Sequence, residues 1–351
     1  MKILITHELY PPDFAGGGEY IVEGTARTLR QFGIDVQVVT TGNPASAQYD
    51  GVYVVRLPVS RYAFNFQVRK ILELARQADV IQTFNYHACL PSLIAAKRLG
   101  KPVVCLLLGL FDEAWKEMKG PILGRAYIAW ERMLMRRDFS RLIFLSEYSR
   151  QIGIKLGAPP ARSLVNTYGV DIDQFHPVSE KENFVLFVGK LEVRKGVHDL
   201  LRAAKDLPSM KFKILGWGPE ESMMRATAAS NVEFLGFDQG ETRKKELGRA
   251  LIYVLPTRAE GLSVALMEAM ASGCAIVSTL PVQFEGEHVS PGNVQELIAA
   301  LHRLSASPER TAAMGKSNRE FARQFTWERF GKSLLRTYQD VLSEKPNARR
   351  I

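Results

Sequence analysis

Apolar runs rich in β-branched residues alternate along this chain with stretches whose apolar positions recur every three or four residues. The first run, Lys2–Thr6, leads through a Pro/Gly loop into a helical stretch at Tyr20–Phe32. Val36–Thr40, Val52–Leu57, Asp79–Thr83, Pro102–Leu108 and Arg141–Leu145 read as further strands. Leu72–Arg76, Leu93–Leu99 and Ser146–Leu156 read as helix. Alternation at this spacing predicts a parallel sheet covered on both faces. Beyond an irregular polar stretch at Gly169–Pro177 the pattern starts afresh. Its strands are Phe184–Val188, Lys211–Leu215, Val232–Leu235, Leu251–Leu255 and Ala275–Ser278, with helices at Val197–Lys205, Glu220–Ala229, Arg243–Arg249 and Val264–Ser272. After Asn293 the chain is nearly all helical, closing on an amphipathic helix at Trp327–Leu342 and a polar tail, Ser343–Ile351. The expected class is α/β, with two successive doubly wound units.

Composition narrows the class. A 351-residue chain with 46% hydrophobic and 24% charged residues has enough apolar side chains for two cores. The longest apolar stretch, Pro102 to Phe111, is too short to span a bilayer, and the apolar start breaks at His7-Glu8, short of a secretory leader. The three cysteines, Cys89, Cys105 and Cys274, form no CxxC pair and read as reduced, buried thiols of a cytosolic protein. A net charge of +9 calls for an anionic target: nucleic acid, a membrane surface or a phosphorylated small molecule. No basic block or nucleic-acid recognition motif is present, which disfavours the first. His87, His176, His198, His288 and His302 show no metal-ligand spacing, and His7-Glu8 lacks a second histidine for a zinc site.

Four strand-end segments carry candidate chemistry. In Tyr10–Glu19, Gly16 and Gly17 open a helix, where backbone amides and the helix dipole favour a phosphate. This loop lacks the GxGxxG dinucleotide fingerprint. In Phe187–Gly196, Lys190 and Lys195 are placed to neutralise a diphosphate. Gly216 in Leu215–Pro219, and Gly236-Phe237, face the same carboxyl edge, where open α/β sheets bind ligands. In Leu255–Met270 a strand ends, Glu260 and Gly261 follow, and the amides of Leu262, Ser263 and Val264 lie at the start of a helix. Glu268 lies eight residues past Glu260, roughly 12 Å away if both stood on one helix. His7, at the end of the first strand, is a candidate for work at an acceptor.

These segments, in this order, resemble a family: the chain looks like a GT-B-fold retaining glycosyltransferase of family 4, glycosyl transferases group 1. The matching stretches are Pro11–Glu19, Gly169–Phe175, Gly189–Gly196, Gly216–Pro219 and the Glu260–Glu268 block continuing Ala-Met-Ala-Ser-Gly. The resemblance implies two Rossmann-like domains facing across a cleft, residues 1–170 for the acceptor and 171–325 for the nucleotide-sugar donor. Residues 326–351 would form a helix crossing back to the first domain, and a tail. It also implies that Glu268 holds the ribose, Lys190 and Lys195 the diphosphate, and the backbone at Gly236–Phe237 the base. Glu260 and the amides of Gly261–Val264 would hold the sugar and distal phosphate, with Gly16 and Gly17 closing over it. No cofactor and no metal are implied. The expected activity is transfer of a hexosyl group, from a UDP-sugar before a GDP-sugar, to a glycan, lipid-linked or small-molecule acceptor in cell-envelope or polysaccharide biosynthesis.

The chain departs from the family pattern at Leu108, where a sugar-contacting histidine is usual, at Lys190, where arginine is usual, and at the short Thr279–Pro291 loop. Arg61–Lys70 and Trp115–Arg141 mix basic and aromatic residues in the manner of a peripheral membrane contact at the inner face of a membrane. Two other readings stand beside the transferase: a catalytically silent nucleotide-sugar-binding module, and an α/β-hydrolase using Ser263 with His288 or His302.

Overall fold

The structure is a computed structural model that describes residues 1–14, 16–238 and 240–344. The last residues of the polar tail, 345–351, lie outside the described residues. The chain divides into two compact units, one holding Met1–Asp112, Ala126–Gly169 and the segment from Trp327 on, the other holding Glu113–Arg125 and Val170–Thr326.

The first unit is built on an eight-stranded sheet. Its strands are β1 (Lys2–Thr6), β2 (Asp35–Thr41), β3 (Gln48–Tyr49), β4 (Val52–Leu57), β5 (Val80–Phe84), β6 (Val103–Leu107), β7 (Arg141–Phe144) and β8 (Ser163–Val165). They lie in the order β3-β4-β2-β1-β5-β6-β7-β8, parallel throughout except for β3 against β4. The helices α1 (Gly17–Gln31), α2 (Val68–Ala75), α3 (Cys89–Leu99), α4 (Ala114–Lys119), α5 (Pro121–Met135) and α6 (Glu147–Lys155) separate them along the chain. Central strands read as continuous apolar runs because helices cover both faces, and Ile5, Val38, Ile81, Leu106 and Phe144 are fully buried.

The second unit carries a six-stranded, all-parallel sheet in the order β11-β10-β9-β12-β13-β14. These are β9 (Glu182–Val188), β10 (Lys211–Leu215), β11 (Val232–Gly236), β12 (Ala250–Leu255), β13 (Ala275–Ser278) and β14 (Gly286–His288). The helices are α7 (Val197–Asp206), α8 (Glu221–Thr227), α9 (Glu241–Arg249), α10 (Val264–Ala271), α11 (Val294–Ser305) and α12 (Pro308–Ala322).

The final helix, α13 (Trp327–Ser343), belongs to the first unit and packs on α1. Gly24 makes that approach possible: a β-carbon there would lie 2.1 Å from the Trp327 ring. Deeper in, the Tyr338 hydroxyl donates to Gln82 Oε1 at 2.8 Å.

The edge strands β3, β8 and β14 are only two or three residues long, too short to show a period in the sequence. For β3 a local signal existed. Asp50-Gly51, both at positive φ, form the two-residue turn of a hairpin to β4. The short loop Thr279–Pro291 is likewise not plain loop, since it adds β14 to the edge of its sheet.

Candidate active site

At the carboxyl edge of the second sheet, backbone hydrogen bonds tie the loops after β9, β10, β11 and β12 into one surface. Gly189 N–H donates to Leu215 O at 3.0 Å and Leu191 N–H to Trp217 O at 2.7 Å. Gly216 N–H donates to Gly236 O at 2.7 Å, and Arg258 N–H to Arg194 O at 2.7 Å. Glycine is required at this junction. A β-carbon on Gly216 would lie 1.9 Å from Gly189 O, and one on Gly218 would lie 2.2 Å from Leu191 O. Lys190 Nζ stands 3.9 Å from Glu192 and 5.4 Å from the Trp217 ring centroid. The half-exposed Trp217 meets exposed Phe237 edge-to-face at 5.6 Å.

Glu260 is the hub of a second group. Its Oε2 accepts from Arg194 Nη1 at 3.1 Å and from Lys195 Nζ, and Arg194 also reaches Glu192 at 2.7 Å. Burial alone would push the Glu260 carboxyl up. The ammonium of Lys195 and the guanidinium of Arg194 outweigh it and hold the group at about 2. Glu260 is thus a permanent carboxylate, able to accept hydrogen bonds and unable to act as an acid near neutral pH. Lys195, expected as a free cation for a diphosphate, is in this structure partnered by Glu260.

Helix α10 starts at Val264, with Ser263 as its N-cap accepting from Leu266 N–H at 3.4 Å. Glu260 precedes that cap, so the two glutamates do not stand on one helix and the 12 Å axial estimate does not apply. Gly261, Leu262 and Val264 line the buried approach to the helix start. Glu268, a turn further in, is 3% exposed and paired with Arg243 of α9. Burial pushes its carboxyl up to about 7, against the opposing pull of Arg243. Ser263 bonds to no histidine: His288 stacks on Phe284 at 4.1 Å and His302 lies in the last turn of α11. That geometry gives Ser263 no base, so the hydrolase reading loses its nucleophile.

In the first unit, exposed Gly16 and Gly17 stand at the head of α1, where Gly16 N–H donates to Glu19 Oε2 at 2.9 Å. Leu108 follows β6, its N–H donating to Asn85 Oδ1 at 2.7 Å while Asn85 Nδ2 donates to Gly109 O at 2.7 Å. His7 is buried, with Nδ1 2.6 Å from Leu9 O and Nε2 3.8 Å from Glu8 Oε2. Among the described residues no group of three or more His, Cys, Asp or Glu side chains is placed to hold a metal ion.

Residues 171–321 match the model of the glycosyl transferases group 1, and residues 16–169 match that of the glycosyl transferase 4-like domain. The chain belongs to the group 1 glycosyltransferases. Among relatives of this glycosyltransferase, the D-rhamnosyltransferase WbpZ of Pseudomonas aeruginosa is 26% identical over 100% of this chain and 99% of its own. The sulfoquinovosyl transferase SQD2 of Arabidopsis thaliana is 25% identical over 93% of this chain and 71% of its own. HepE of Anabaena in complex with UDP-glucose shares the fold at a TM-score of 0.81 with 19% identity, covering 97% of this chain and 100% of that one. These neighbours make the two-sheet architecture of the glycosyltransferase a GT-B fold.

Sequence reasoning passed over several residues of the glycosyltransferase that the fold brings to the edge. Arg194 lies between Lys190 and Lys195 in the loop after β9, and it bridges Glu192 and Glu260. Arg243 sits on a helix with no motif and reaches Glu268 only because α9 packs beside α10. Nothing in the local sequence marks either pairing.

Proposed function

We propose that this glycosyltransferase takes its sugar from a nucleoside-diphosphate sugar, UDP-linked before GDP-linked, and transfers it with retention to a hydroxyl of a glycan, lipid-linked or small acceptor. The observation that carries the reading is the stitched carboxyl edge, where Lys190, Arg194 and Lys195 converge beside the head of α10. Negative charge grows on the diphosphate as the bond to the anomeric carbon breaks, and fixed cations with the dipole at the head of α10 stabilise it in place of a metal. Retention follows when the acceptor oxygen attacks from the face the diphosphate leaves and hands its proton to a departing phosphate oxygen. Glu260, held ionised, accepts hydrogen bonds from sugar hydroxyls, while Glu268 accepts from the ribose. HepE, of the same fold, is known in complex with UDP-glucose, and several relatives are named for sugar transfer, which supports this donor class.

The test is a thermal-shift series with UDP, GDP and their sugars in EDTA, followed by donor turnover. Stabilisation by one nucleotide without magnesium is expected, with Glu260→Ala keeping that stabilisation and losing turnover by about a hundredfold or more. Stabilisation without turnover of any donor in the wild type would favour the silent binding module. We further propose a peripheral membrane contact through Arg61–Lys70, where Phe66 is 82% and Tyr62 66% exposed among basic neighbours, and through the basic Trp115–Arg141 stretch.

A further inference from the structure

Two ion pairs of the second unit each hold a buried glutamate, and they differ in how fully their hydrogen bonds are met. Lys213 and Glu246 are both buried, at 2.5 Å, and Glu246 is completed by Arg249 at 3.0 Å. No buried side-chain nitrogen or oxygen of that group is left without a partner. Arg243 and Glu268 form an equally close pair, yet Arg243 Nε is buried with no hydrogen-bond partner. An unmet guanidinium N–H beside a buried carboxylate is costly, and a purely structural pair has no reason to keep it.

Its place is also distinctive. Asp238 accepts from Gly240 N–H at 2.6 Å and Thr242 N–H at 2.8 Å, so the first turn of α9 is anchored directly after Gly236–Phe237. Arg243 is therefore delivered from a fixed backbone into the strand-end surface that carries the donor machinery.

We propose that Arg243 and Glu268 together form a clamp for the ribose of the donor: the carboxylate accepts from the two ribose hydroxyl protons, and the Arg243 Nε–H donates to one of their oxygens. This inference rests on the nucleotide-sugar reading and adds a donor residue to it. A carboxylate alone is an acceptor only, whereas a vicinal diol offers both protons and lone pairs. Without ligand the guanidinium caps Glu268, and ribose entry exchanges that cover for a contact with both groups.

The experiment compares UDP and GDP with their 2′,3′-dideoxy forms on wild type, Arg243→Met and Arg243→Lys, reading affinity by calorimetry and folding by thermal midpoint. The wild type is expected to prefer the ribose form by about tenfold to hundredfold, the range of hydrogen bonds to charged groups. Arg243→Met should lower that preference by about tenfold, with Arg243→Lys restoring part of it. The preference is read at pH 9, where Glu268 stays ionised more fully, and a role in folding alone would move the thermal midpoint and leave the preference unchanged. An undiminished preference in Arg243→Met, or equal weakening of both forms, overturns the clamp. Equal binding of both forms by the wild type overturns it too and leaves the nucleotide reading standing. Should no nucleotide bind the wild type, both fall. If Arg243→Met fails to fold, Arg243→Gln serves, because its amide keeps a donor for the carboxylate without the Nε–H.

Discussion

Glu260 and Glu268 carry the same functional group, and their surroundings drive them apart. Glu260 is partly buried, faces two cations and is held at about 2, whereas Glu268 is buried, faces one and rises to about 7. Only the ionised form of Glu268 accepts both ribose protons. Donor affinity should therefore fall as pH drops from 8 through 7 to 6, by up to about tenfold. A UDP-sugar is the right probe, since its diphosphate diester keeps constant charge over that range. A flat affinity profile would remove Glu268 from the ribose. For stability the sign is opposite: a carboxyl raised in the folded state binds protons that the unfolded chain has released. Ionising Glu268 therefore costs stability as pH rises from about 4.5 toward 7. Glu260 works the other way, stabilising above about 4.5 and losing that contribution as pH falls toward 2.

At the scale of elements, the loops after the strands behave as one piece because their backbones touch. Gly216 has no room for a methyl group, its β-carbon falling 1.9 Å from Gly189 O. Gly216→Ala should push the β9 and β10 loops apart and weaken nucleotide binding by more than tenfold, with a thermal midpoint lowered by several degrees. Ser263→Ala is milder. It removes the α10 cap and should cost about 1 kcal/mol in denaturant unfolding. If Ser263→Ala instead left stability unchanged, the cap would contribute nothing to the fold.

For the whole molecule, the proposed membrane contact is a matter of exposed aromatics and net charge. No helix among the described residues is long and apolar enough to cross a membrane. The chain carries +9, and Tyr62 and Phe66 stand exposed near Arg69 and Lys70. Co-sedimentation with vesicles containing phosphatidylglycerol should be strong at low salt and fall steeply by 0.5 M salt, because screening lengths shrink below about 5 Å. Phe66→Ser should weaken it at every salt concentration. Binding to neutral vesicles alone, or to none, rules the contact out.

The alternation of apolar runs determined the two doubly wound units, because a parallel strand covered on both faces must be apolar along its length. The glycines, lysines and glutamates at strand ends were legible for a related reason, as chemistry at a carboxyl edge needs permissive backbone and charge at set places along the chain. What pairs with what was decided only in three dimensions. Arg194 and Lys195 reach Glu260, and Arg243 reaches Glu268, across 65 or 66 and 25 residues of sequence. Those distances close through the register of parallel strands and the packing of α9 beside α10. Charge, burial and pKa depend on such neighbours, and no local stretch of sequence contains them.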